Sequence, residues 1–149
     1  MGRIVTFDPG ACTGWANFLG ATLRTAGVIQ DTDQIGHDSG AWDATLVLIE
    51  KPLIYATDTK TDPNNLVTLA IRAGEIGGWV KAFTVPVQYV TPRKWKGTTP
   101  KDISHRRILA KLSDTEKQRL PKLPKSKAHN MLDAVGIGLW WLEKGGLRP

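Results

Sequence analysis

The residues able to do chemistry in this chain are few, and most are carboxylates. Asp8 closes the apolar run "RIVTF" and leads into the turn formers Pro9 and Gly10. Glu50 closes a second apolar run, "LVLI". Asp133 lies in "AHNMLDAVGIGLWWL", a stretch otherwise mostly apolar, with His129 four residues earlier and Asn130 three. On a helix, both of those positions share the face of Asp133. A carboxylate in an apolar helix is costly to bury unless it is paired or bound to a metal. If the two apolar runs are adjacent parallel strands, Asp8 and Glu50 emerge at the same edge of the sheet. Three acidic groups meeting there repel one another; a divalent cation removes the repulsion, and oxygen ligands of this kind suit Mg²⁺ or Mn²⁺.

Each residue alone has a plainer role. Asp8 beside Pro9-Gly10 is a natural turn former, and Glu50 beside Lys51 a strand-end surface residue. Asp133 can cap or pair with a lysine, and a histidine in the first turn of a helix is commonly structural. The conjunction carries the argument, because all the plain readings must hold at once to replace it.

The elements that would position these groups read as follows. Residues 3–8 form a strand, and 14–20 and 22–29 two more joined by a tight hairpin at Gly20-Ala21. Residues 31–44 are polar and rich in Gly and Asp, a loop or irregular helix. Leu46 to Ile49 is a continuous apolar run suited to a strand buried on both faces. A polar connection over 53–61 leads to a helix over 62–83, with Asp62 as N-cap and Pro63 at the first helical position. Its apolar residues Leu66, Leu69, Ala70, Ala73, Ile76 and Val80 recur at three- and four-residue spacing. "VPVQYV" (85–90) is a fifth strand. Thr99-Pro100 starts a helix with a basic face of Lys101, His105, Arg106, Arg107 and Lys111. The Pro- and Lys-rich 120–127 is expected to be a mobile connection, followed by a last helix over 128–144 stopped by Gly145-Gly146. The order implies an α/β fold, a five-stranded mixed sheet flanked by helices, in a single domain over 1–149 with no internal repeat.

Size and composition agree. A chain of 149 residues buries roughly 70% of its unfolded surface, and 41% hydrophobic with 23% charged residues is ordinary globular composition. No apolar stretch approaches the length of a membrane span, and no secretory leader is visible. Cys12 is the only cysteine, which removes an internal disulfide or a cysteine-based zinc site; a cytoplasmic setting is expected. The net charge of +6 is unevenly placed. Residues 1–90 hold 6 Lys/Arg against 9 Asp/Glu, whereas 91–149 hold 14 against 5. That asymmetry points to a polyanionic partner, with a merely soluble, lysine-rich surface as the alternative.

The segments "VTFDPGACTGWA", "VLIEKP" and "HNMLDAVGIGLWWL", in that order, resemble the RuvC-type Holliday junction resolvases of the RNase H-like superfamily. The resemblance covers nearly the whole chain. Asp8, Pro9, Gly10, Thr13 and Gly14 match the family's first motif, and Asp133, Ala134, Gly138 and Leu139 its helical ending. "VTPRKWKG" followed by Lys101 is similar to the family's lysine segment, which implies Lys96 and Lys101 as DNA-phosphate contacts. Compact length and the paired Trp140-Trp141 resemble phage-type members, whose setting would be the host cytoplasm. The family carries an acid, or in some members a His, three residues before the last Asp; Asn130 stands there and His129 one residue earlier. His129 is taken as the fourth ligand, with Asn130 as the rival. An aromatic wedge follows the family's Glu, where this chain has Leu53 and, nearest, Tyr55.

The resemblance implies an RNase H-like fold and a two-metal-ion endonuclease that resolves four-way DNA junctions by paired phosphodiester hydrolysis. Asp8 would bridge two Mg²⁺ ions (or Mn²⁺), Glu50 would hold one, and Asp133 with His129 the other. Lys101 would complete the catalytic set, and Lys96, Lys101, Arg106 and Arg107 would contact DNA phosphates. The family acts as a homodimer, for which helix 62–83 is the candidate interface; packing of that helix on its own sheet is the other reading. Another RNase H-like nuclease (flap, branched-DNA or packaging) or a non-catalytic nucleic-acid-binding module are the alternatives. An ATP-binding fold of the actin/hexokinase type would need two such lobes and more chain. No Walker lysine motif or nucleophilic Ser/His pair is present.

Overall fold

Side-chain alternation on the first strand divides the molecule into its layers. The computed structural model describes residues 2–53, 60 and 62–149. Strand β1 (Arg3–Asp8) sends Ile4 and Thr6 to one side of the sheet and Val5 and Phe7 to the other. It pairs antiparallel with β2 (Thr13–Leu19), which turns at Gly20 into antiparallel β3 (Thr22–Ile29). Gly20 has φ 59°, the left-handed conformation that a tight hairpin demands.

Two short 3-10 turns, Thr32–Gln34 and Ala41–Asp43, enclose α1 (Ile35–Ser39) in the next connection. Strand β4 (Leu46–Glu50) then pairs parallel with β1, in a register that sets Thr6 opposite Leu48 and Phe7 opposite Ile49. Helix α2 (Pro63–Lys81) starts as its sequence predicts: the Asp62 carboxylate accepts the Asn64 N–H at 2.9 Å, and Pro63 fills the first turn. It leads into β5 (Val87–Val90), parallel to β4. The sheet order is β3-β2-β1-β4-β5. The expected five-stranded mixed sheet is therefore present, with β5 starting at Val87 instead of 85.

The rest of the chain is helical: α3 (Pro92–Lys96), α4 (Lys101–Lys111), α5 (Asp114–Gln118) and α6 (Lys125–Lys144), which Gly145 ends. Helices α3 and α5 were not anticipated from the sequence. Helix α6 begins at Lys125, so the last three residues of the connection expected to be mobile over 120–127 belong to its first turn. No described helix is long and apolar enough to cross a membrane.

Two apolar cores share the sheet. One lies between the sheet and α4/α6 and is built on Phe18, Leu48, Ile137 and Leu139. The other lies beneath α1 and α2, around Phe7, Ile35, Ile49 and Ile76. Contact between α6 and β2 is intimate at two glycines. A Cβ on Gly14 would stand 1.9 Å from the Asn130 carbonyl oxygen, and one on Gly138 would stand 2.2 Å from the Phe18 ring. These absent side chains let α6 lie against the strand ends that carry the carboxylates.

Candidate metal centre

The period-two alternation that places Ile4 and Thr6 under α6 also delivers Asp8 to that side. Thr6 Oγ1 donates to the Ala134 carbonyl at 2.6 Å, which ties β1 to α6 one residue past Asp133. On β4, Leu48 belongs to the α6-side core, so Glu50 two residues on shares its face. Asp8, Glu50 and Asp133 thus line one open cleft of about 750 Å³ with Pro9, Gly10 and Cys12 from the β1–β2 turn. Asp8 is 7% exposed and Asp133 5%, so two of the three carboxylates are nearly out of water.

Burial pushes the Asp8 carboxyl well above its ordinary range, and repulsion from Glu50 and Asp133 adds to it; Lys96 and Lys101 oppose the shift. Glu50 is also raised, chiefly by burial, against a hydrogen bond from Trp95 and the field of Lys96. Such a group of acids attracts positive charge, and the lysines supply part of it. Lys96 Nζ lies 3.6 Å from Asp133 Oδ2, and Lys101 lines the cleft. Trp95 Nε1 donates to Glu50 Oε2 at 2.7 Å, and His105 Nε2 lies 2.9 Å from Asp133 Oδ1.

Among the described residues, no group of three or more His, Cys, Asp and Glu side chains is closed around a point where a metal ion could sit. The donor chemistry nevertheless fits a hard divalent cation. Two buried carboxylates and one half-buried one face a common cleft, and their mutual repulsion is only partly met by lysine.

The structure brings together Asp8, Glu50, Asp133, Lys96, Lys101 and Asn130 on one cleft and leaves His129, Arg106 and Arg107 outside it. His129 lines a neighbouring cavity of about 680 Å³ with His105, Lys125 and Leu132, and Lys101 and Ser126 belong to both spaces. Burial, then the field of Lys101, lowers its pKa. Asn130 does line the carboxylate cleft, but its amide donates to the Cys12 carbonyl at 2.8 Å. Arg106 and Arg107 are exposed on α4 and do not line the cleft; Arg107 borders a separate space behind Trp95. Tyr55 lies outside the described residues, and Leu53 is 37% exposed. Trp95 and His105 were not foreseen as part of the site. The one available signal was His105 standing four residues after Lys101 on the same helix.

No protein-family model matches the chain, and no curated protein matches it in sequence. Solved structures do match. Thermus thermophilus RuvC aligns with a TM-score of 0.60 at 16% identity, covering 98% of this chain and 98% of that one. T. thermophilus RuvC in complex with Holliday junction substrate aligns with a TM-score of 0.59 at 18% identity, over 99% of this chain and 98% of that one. At such identities the likeness establishes the fold, which is RuvC-like along the whole chain.

Proposed function

We propose that this chain is a divalent-metal-dependent endonuclease that cuts branched DNA, the four-way junction foremost, by paired phosphodiester hydrolysis. One observation carries the reading: Asp8, Glu50 and Asp133, from two strand ends and a helix, face one open cleft rimmed by Lys96 and Lys101. The fold shared with a RuvC that has been captured on a Holliday junction supports the choice of substrate.

The three carboxylates would hold Mg²⁺ or Mn²⁺, two ions in each site. Bound metal at such a site activates water and stabilises the leaving oxygen of a phosphodiester. The chain's own groups do the rest. Lys96 and Lys101 place backbone phosphate over the carboxylates, and the exposed Arg106 and Arg107 extend the basic surface along α4. Binding by such contacts is salt-sensitive and largely independent of sequence. Asn130, facing the cleft, and His129, in the cavity beside it, are the two candidates for a fourth metal ligand.

The test is cleavage of a labelled mobile four-way junction, a flap and a linear duplex, each with Mg²⁺, Mn²⁺ or chelator. Symmetric, metal-dependent cuts in the junction are expected, and Asp8→Asn should abolish them while preserving junction binding. Preferential cutting of flaps or duplex would keep the metal site and change the substrate. Tight binding without cutting by the wild-type protein would overturn the enzymatic reading.

A further inference from the structure

Among the described residues, two hydrogen bonds reach the carboxylates from outside the sheet and α6, and both come from the α3–α4 segment. Trp95 Nε1 donates to Glu50 Oε2 at 2.7 Å, and His105 Nε2 lies 2.9 Å from Asp133 Oδ1. We propose that Trp95 and His105 are positioning residues that fix the orientation of the Glu50 and Asp133 carboxylates for a divalent cation. The inference rests on the metal reading above and adds which residues hold its ligands in place.

Glu50 needs such a partner. Two methylenes separate its carboxylate from the backbone, so the strand fixes where the side chain starts and not how its oxygens turn. Indole is a rigid ring with a single donor and no acceptor. A bond from it pins one carboxylate oxygen and favours the ionised form, the form that binds metal. His105 acts alike on Asp133, with its imidazole only 15% exposed. Metal ligands are commonly oriented by partners of this kind.

The source of the geometry is a glycine. Gly136 lies three residues after Asp133 on α6, and a Cβ there would meet the Trp95 ring at 2.5 Å and Ile108 Cδ1 at 2.7 Å. Helices α3 and α4 therefore seat on α6 at one bare position, and that seating aims both donors. Trp95 also borders a space of about 130 Å³ between α3/α4 and α6.

Direct Mn²⁺ binding to the full chain, followed by the electron paramagnetic resonance of free Mn²⁺, tests the idea without relying on activity. Trp95→Phe keeps a ring and deletes the donor. It should weaken Mn²⁺ binding by about 10-fold or more, while the melting temperature and metal-free junction binding stay near wild type. A purely structural role would move the melting temperature and not the affinity. Should Trp95→Phe misfold, His105 carries the test: His105→Gln, which keeps a donor, should hold affinity within a few-fold, and His105→Leu should lose about 10-fold. Folded Trp95→Phe or His105→Leu protein with wild-type Mn²⁺ affinity overturns the positioning role and leaves the metal site standing. Wild-type protein that binds Mn²⁺ no better than Asp8→Asn overturns the metal reading, and this inference with it.

Discussion

Asp8 and Glu116 are both buried carboxylates, and their surroundings drive them in opposite directions. Asp8 keeps company with two other acids, and burial raises its affinity for protons. For Glu116 burial also disfavours the charge, but its partners outweigh that cost. The carboxylate accepts from Arg148 at 2.7 and 3.0 Å, from the Ser113 N–H at 2.9 Å and from the Leu23 N–H at 2.8 Å, and its pKa falls to about 2. Glu116 is a charge held by its partners, whereas Asp8 sits among acids that oppose its ionisation. The lowered pKa has a defined consequence for stability. The ionised pair stabilises the fold fully above the ordinary Glu value of 4.5, and that contribution is lost as pH falls toward 2. Its size is on the order of 3 kcal/mol. Thermal melts of wild type and Arg148→Met should differ clearly at pH 6 and converge as the pH approaches 2. A gap that stays constant across that range would show that the pair does not hold Glu116 as described.

At the scale of elements, the approach of α6 to β2 decides whether the carboxylates meet at all. A methyl on Gly14 would strike backbone atoms, the Asn130 carbonyl at 1.9 Å and the Met131 nitrogen at 2.6 Å, which cannot swing aside as a side-chain tip could. Gly14→Ala should therefore cost about 1–3 kcal/mol, seen as a melting temperature lower by several degrees. It should weaken metal binding too, because α6 carries Asp133. Gly78→Ala is the control. Nothing lies within 4 Å of a Cβ there, so better helix propensity should leave stability unchanged or raise it by up to about 1 kcal/mol. Equal melting temperatures for Gly14→Ala and wild type would remove the close approach as a constraint. The elements that make this contact were legible in the sequence, since short apolar runs and an apolar helix with Asp133 announce themselves over short windows. Helix α3 was not, because "PRKWK" is five residues with a Pro start and no apolar stripe. Helix α5 did carry a signal in its Ser113–Glu116 capping box, but no apolar run followed to mark a helix. Asp8 and Glu50 could be found because they close apolar strand runs, and Asp133 because it interrupts an apolar helix. Trp95 and His105 could not, because their bonds span 45 and 28 residues and depend on how α3 and α4 seat on Gly136.

For the whole molecule, the proposed paired cleavage raises the question of how one cleft could make two matched cuts. A four-way junction offers its two scissile strands symmetrically, and a two-fold dimer presents two copies of one site to them. Helix α2 carries a surface suited to that role. Its C-terminal half is buried through Ala73, Ile76 and Val80, whereas Val67 and Ile71 in its N-terminal half are each 58% exposed. Open space surrounds Gly74 on the same helix, and Tyr89 of β5 is 41% exposed. The helix is thus apolar beyond what its own sheet covers, which the core alone does not explain. If this face joins two copies, Val67→Glu with Ile71→Glu should convert a dimer into a monomer in sedimentation velocity. Each monomer should still bind Mn²⁺, because no carboxylate, Trp95 or His105 is altered. On a junction, the paired cuts should give way to single, uncoupled nicks. A wild-type protein that sediments as a monomer yet cuts both strands together would remove α2 from the interface and require the pairing to come from the DNA.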